Sequence, residues 1–277
     1  MSSGDTENPE LPKPKEYGEL LYDKSKLFHG IGFDLIRLKR ILEHGIFSEN
    51  AAREKGLSVA RNYGGYNLND TVSVTESPSV HGTFTFGAFF VYIKNGIGLV
   101  IDNTPLDGVK AFRAPQMRGD YETSTSRASG FVDEACIVHE VPRRNIVGVM
   151  VPEDALDRPL SELRLGLDKI GTGYINNRCR SLVTEIEKEL GYSANLIPLE
   201  ALMRQKDLLD KADLSYLEKR DAQDRVFNEM DRFIAEYTEQ AYKAKLGKDR
   251  VVLRDILREY VPSGVETYNS DGFPISL

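Results

Sequence analysis

Cysteine occurs only twice in the 277 residues, at Cys136 and Cys179. No CxxC pair exists, which removes the zinc ribbons and dithiol redox motifs that need one. The two read as reduced thiols, as in a reducing compartment. There are four histidines, and no HExxH sets two of them on one helical turn; no metal is expected. Long apolar runs are also missing. The longest, 86–93, stops at Lys94 and Asn95, far short of the roughly 20 residues that span a bilayer. The opening MSSGDTENPELPKPK has no apolar signal-peptide core, so the expected setting is cytoplasmic, with no membrane partner. Gly30-Ile31-Gly32 lacks the third glycine of GxGxxG, and neither a P-loop nor a GxSxG elbow occurs. That disfavours the common dinucleotide, nucleoside-triphosphate and hydrolase signatures. Cationic surplus is absent as well: 36 Lys and Arg against 43 Asp and Glu leave a net charge of -7. Such a chain is not built to coat nucleic acid without sequence preference.

What is present is an ordinary globular balance, 40% hydrophobic and 29% charged, enough for a core without covalent staples. Residues 1–26 are rich in Ser, Glu, Pro and Lys and read as a flexible tail. The segment 27–153 mixes short apolar runs with glycine and polar loops. Lys26–Gly32 reads as a strand. Over 33–44, Leu35, Leu38, Ile41 and Leu42 fall at helical spacing, with Gly45 as the stop. Thr71–Thr75 alternates Val72 and Val74 against polar neighbours, a strand pattern. Strands are also expected at 98–102, 135–141 and 146–151, with Pro142 and the two arginines after it as the link between the last two. The segment is α+β. From 154 to 277 the pattern turns helical, with apolar residues at helical spacing over 160–190, 199–209, 217–246 and 251–260. In the longest of these, Val226, Met230, Phe233, Ile234, Tyr237 and Ala241 share a face.

Three short pieces carry the chemistry, and their order matters. The first is Leu27-Phe28-His29-Gly30, followed by a helix ending Ile41-Leu42-Glu43-His44-Gly45-Ile46. The second is Val72-Ser73-Val74-Thr75-Glu76-Ser77-Pro78, followed by an aromatic-rich run. The third is Asp133-Glu134-Ala135-Cys136-Ile137-Val138, leading to Val141-Pro142 and Asn145-Ile146-Val147-Gly148-Val149.

As an ordered set these resemble the ADP-ribosyltransferase superfamily, in the histidine-containing branch. That branch holds the poly-ADP-ribose polymerases, the diphtheria-type and DarT-type toxins and the RNA 2'-phosphotransferases. The resemblance covers about 27–151. It implies an ADP-ribosyltransferase-like split β-sheet core, here with an α-helical C-terminal extension, and NAD as substrate with no metal. By the same resemblance His29 would hydrogen-bond a ribose hydroxyl of NAD. Gly30 would hold the nicotinamide carboxamide through its backbone, where only glycine permits so close an approach. The small polar residue usual after His-Gly is Ile31 here. Ser73 or Thr75 would support the site, at a position where many relatives use tyrosine. Tyr92, with Phe86 and Phe89 as alternatives, would stack on the cationic nicotinamide ring. Glu134 is the expected catalytic acid, with Glu140 as competitor; on strict alternation the two share one side of a strand, so parity does not separate them.

Two long polar loops look functional. The first, 48–70, carries Arg53 and Arg61, either of which suits a pyrophosphate. The second, 112–131, precedes Glu134 where the resembling families recognise their target; Arg113, Arg118, Arg127 and Tyr121 lie in it. The expectation is thus transfer of ADP-ribose from NAD to a macromolecular acceptor, protein or nucleic acid. An NAD glycohydrolase and an RNA 2'-phosphotransferase are alternatives on the same core, and a non-catalytic binding module is a third. The helical extension would cover the core, dimerise, or bind a regulatory or neutralising partner.

Overall fold

The computed structural model describes residues 26–57, 71–75, 96–103, 111–113, 134–165, 175–270 and 272–277. The strands are β1 (Lys26–Gly32), β2 (Gly45–Phe47), β3 (Thr71–Thr75), β4 (Gly96–Asp102), β5 (Ala111–Arg113), β6 (Glu134–Val138), β7 (Glu140–Pro142), β8 (Ile146–Met150) and β9 (Glu266–Tyr268). The α-helices are α1 (Leu35–His44) after β1, α2 (Glu49–Glu54) after β2, and α3 (Ile175–Leu190), α4 (Ile197–Lys211), α5 (Tyr216–Leu246) and α6 (Leu253–Tyr260) in succession between β8 and β9. Among the described residues, seven strands form one sheet in the order β5-β6-β3-β1-β4-β8-β9, and β2 pairs with β7 in a separate ribbon. The architecture is mixed α/β with a helical C-terminal region.

β1 sits inside the sheet because both of its faces are apolar. Leu27 and Ile31 join the large core on one face, and Phe28 joins Val100, Met150 and Tyr268 in a small cluster on the other. It pairs with β4 over its whole length, from Lys26 opposite Asp102 to Gly32 opposite Gly96. The Lys26 ammonium closes one end against the Asp102 carboxylate at 3.5 Å.

α1 starts where the pattern places it. Asp34 caps its first turn by accepting from the Arg37 N–H at 3.0 Å. Leu35, Ile36, Leu38, Ile41 and Leu42 face the core. Gly45 ends the helix at φ 102, its N–H donating to the Ile41 carbonyl. A Cβ at Gly45 would also lie 2.4 Å from the Val141 carbonyl oxygen. Gly45→Ala therefore meets two obstacles, positive φ and a backbone collision. It is expected to lose roughly 1–3 kcal/mol from φ alone, read as a lower urea midpoint; an unchanged midpoint would show that the turn relaxes freely.

The expected strand over 135–141 is broken. β6 ends at Val138, His139 takes φ 65, and Glu140–Pro142 departs to pair with β2. The turn is fixed by the Ser48 N–H, which donates to the His139 carbonyl at 2.7 Å. Pro142 and the arginines form the expected link, as a 3-10 turn over Arg143–Asn145.

The helical region shares its core with the sheet. Cys179, Leu182, Val183 and Ile186 of α3, Leu199 and Met203 of α4, and Val226, Met230, Ile234, Tyr237 and Ala241 of α5 belong to the same cluster as Leu27, Leu99 and Ile137. Phe233 is only partly buried against it. α5 starts in a Ser215–Glu218 capping box and ends at Gly247 in the left-handed conformation. The segment 160–165 stitches the two parts together. Two buried carboxylates on α5 take its backbone donors: Asp231 accepts from the Leu165 N–H at 2.8 Å and Glu239 from the Ser161 N–H at 2.7 Å. Gly32 lets this segment cross the end of β1, since a Cβ there would lie 2.5 Å from the Leu165 carbonyl oxygen. The pattern over 160–190 becomes a 3-10 turn at Leu160–Glu162 and then α3, with 166–174 outside the described residues. β9 was not expected. It runs parallel to β8, Val149 opposite Thr267, and adds a strand from the far end of the helical region. No helix of the described residues is long and apolar enough to cross a membrane.

Cys179 is fully buried, and burial pushes its thiol up to about 12. In a Cys136→Ser variant the remaining thiol should therefore be silent to a disulfide reagent near pH 8 until urea unfolds the chain, because the thiolate is the nucleophile. Fast native-state reaction would mean that α3 opens readily.

Candidate functional site

Three neighbouring strands, β6, β3 and β1, carry the singled-out residues. Thr75 stands opposite Phe28 on one side and opposite Glu134 on the other. Backbone positions 28, 75 and 134 thus form one row across the sheet. At about 4.8 Å between strands, that row spans roughly 10 Å. Ser73 stands opposite Cys136, two residues along β3. Glu134 is the first residue of β6 and Thr75 the last of β3, so the row lies at one end of this strand pair. Antiparallel pairing produces this juxtaposition from sequence positions more than a hundred residues apart.

His29 is one residue off the row. It stands opposite Leu99 on β4, between Phe28 and Gly30, and alternation turns its side chain towards α1. There its Nε2 lies 3.5 Å from Nη2 of Arg37. The ring is half-buried. Gly30 is buried and stands opposite Gly98, and Gly32 opposite Gly96. Two adjacent strands therefore lack side chains at facing positions, and backbone is presented where other pairs present side chains. Sequence reasoning missed Gly96 and Gly98. The available signal was the repetition of Gly-Ile-Gly, once after His29 and once after Asn95.

α1 is held against β1 from the other side. Asp34 is buried, and its second carboxylate oxygen forms a close ion pair with the Arg178 guanidinium of α3. Further along, Lys39 and Arg40 of α1 meet Glu189 at 3.0 and 3.3 Å, and Arg40 also meets Glu185 at 3.3 Å. The hydrogen bond from Lys39 holds the Glu189 carboxyl below its ordinary range. The helical region thus grips the helix that follows the His-Gly strand.

Glu140, the competitor, lies elsewhere. It pairs with Phe47 in the β2–β7 ribbon, and its carboxylate lies 3.5 Å from the Lys55 ammonium. The alternation argument that left Glu134 and Glu140 on one side fails because His139 interrupts the strand. Arg53 is exposed in the last turn of α2. Tyr92, Phe86, Phe89, Arg61, Arg118, Tyr121 and Arg127 lie outside the described residues. Among the described residues, no three His, Cys, Asp or Glu side chains group as metal ligands. Comparison with family models, with curated proteins and with solved structures returned no match.

Proposed function

We propose that the chain transfers ADP-ribose from NAD to a macromolecular acceptor on an ADP-ribosyltransferase-like core, releasing nicotinamide. The observation that supports this best is the strand neighbourhood: Glu134, Thr75 and the His29-Gly30 strand lie side by side although they come from three distant stretches of sequence. The facing glycines of β1 and β4 leave a pair of positions there with no side chains.

In the proposed reaction the bond between ribose C1' and the nicotinamide nitrogen breaks, and its electron pair leaves with nicotinamide. A nucleophile of the acceptor forms the new bond at C1' and gives up a proton. The carbon gains oxocarbenium character on the way. A carboxylate fixed beside it, assigned to Glu134, stabilises that charge and holds the ribose 2'-hydroxyl. His29 and the Gly30 backbone orient the dinucleotide, and Ser73 or Thr75 steadies the carboxylate. Arg53 or Arg61 is assigned to the pyrophosphate and Tyr92 to the nicotinamide face.

The test is nicotinamide release from NAD by wild type and Glu134→Gln, each with and without cell lysate. Release that needs lysate and is lost in the variant is the expected result. Release without lysate, lost in the variant, would replace the transferase by a glycohydrolase or by self-modification. No release, with no heat of NAD binding, would sink the enzyme reading and leave a partner-binding module.

A further inference from the structure

We infer that the outward face of α4 is a self-association surface, on which a second copy of this chain docks its own α4 in antiparallel orientation.

Among the described residues, five of the six exposed large hydrophobic side chains fall between 197 and 217. Ile197 and Leu208 lie on α4, Leu214 in the turn after it, and Tyr216 and Leu217 at the start of α5. Apolar side chains scattered over a surface are ordinary; a group gathered on one helix and its turn marks a contact surface. Ile197 is 65% exposed, Leu208 70% and Tyr216 76%. The helix cannot roll to bury them, because its inner side is already taken. Leu199 and Met203 belong to the core, and the buried Lys206 ammonium meets the Asp210 carboxylate at 2.7 Å. Asn176 of α3 donates to Asp207 at 2.9 Å, and Gln223 of α5 donates to Asp210 at 2.9 Å. α4 is thus fixed from behind, and its outer face is preorganised.

The order of residues on that face selects the occupant. Ile197, Ala201, Arg204, Leu208 and Lys211 are all exposed and follow one another at alternating steps of four and three, the spacing of a coiled-coil seam. Parallel, in-register pairing would set Arg204 against Arg204 and Lys211 against Lys211. Antiparallel pairing removes both clashes. With the two-fold axis beside residues 202 and 203, Ile197 packs on Leu208 of the second copy. Arg204 then lies over Ala201, whose small side chain leaves room for the arginine stem. Its guanidinium reaches Glu200, exposed one residue before Ala201. Symmetry repeats each contact, so the face is complementary to itself in charge. One helix about 22 Å long, with its turn, covers less than the roughly 800 Å² a side of a standard interface. The dimer is therefore weak and forms with rising concentration.

The test is sedimentation equilibrium of the full chain from about 1 µM to about 1 mM. The expected average mass climbs from 31.1 kDa towards twice that value. Leu208→Lys should abolish the rise. Arg204→Glu and Glu200→Arg should each weaken association about tenfold, since like charges then meet. An equimolar mixture of those two variants should regain it, because every arginine again faces a glutamate. The three side chains are exposed, so the helical circular dichroism should stay unchanged in each variant. A flat mass across the range overturns the inference and leaves the face to a partner of other chemistry. A rise that survives Leu208→Lys puts self-association elsewhere and overturns it too. A mixture no stronger than either variant alone overturns the antiparallel pairing.

Discussion

Replacing Asp34 by alanine is expected to destabilise the chain more than any surface change. Two losses combine. The first turn of α1 loses its cap, worth about 1 kcal/mol. Arg178, with only 15% of its side chain exposed, loses its partner, and a cation stranded in a poorly solvated site costs about 3–5 kcal/mol. Arg178→Met should cost less, because the Asp34 carboxylate keeps its bond to the Arg37 N–H. A control comes from the exposed Arg232–Glu229 pair of α5, half open to solvent on both sides; Glu229→Ala should change stability by less than about 1 kcal/mol. Urea unfolding of the three variants beside wild type gives the order directly. If Asp34→Ala falls no further than Glu229→Ala, the ion pair does not hold α1 to α3.

Glu134→Gln is expected to lower nicotinamide release about 100- to 1000-fold, the usual effect of removing one group aimed at developing charge. The amide keeps the shape of the side chain and drops its charge. Glu140→Gln makes the opposite case. Its place is in the β2–β7 ribbon, where its carboxylate meets Lys55 at the end of α2, with both side chains more than a third exposed. Losing that contact should cost less than about 1 kcal/mol and leave release within about twofold. A large loss in Glu140→Gln, with Glu134→Gln active, would move the proposed chemistry off the β6–β3–β1 row.

Local pattern made much of the sheet legible. β1, β3 and β4 announce themselves by alternation or by continuous apolar runs, and α1 by four apolar residues at helical spacing with a glycine behind them. The helices of the second half were equally plain, since each has a buried stripe. Three features were not legible, each for a non-local reason. The break at His139 depends on β2 being there to receive Val141 and Pro142. β9 is three residues long and has no alternating signal of its own; it exists because the edge of β8 is available. The Arg37–His29 contact joins neighbouring elements whose relative placement is set by the whole core. As for the site, order along the chain suggested which residues to watch, but only strand pairing says that Glu134 and Thr75 stand opposite one another.

The parallel pairing of β8 with β9 bears on how the chain comes into being. Residues 151–265 must be made before Glu266 can reach the sheet. At roughly 5–20 residues per second, the β8 edge waits several seconds for its neighbour during synthesis. Through that interval it offers unpaired backbone groups and an uncovered Met150 to whatever strand comes by. A nascent chain halted within the helical stretch should therefore be prone to clumping and dependent on chaperones, and the two halves, expressed separately, should find each other poorly.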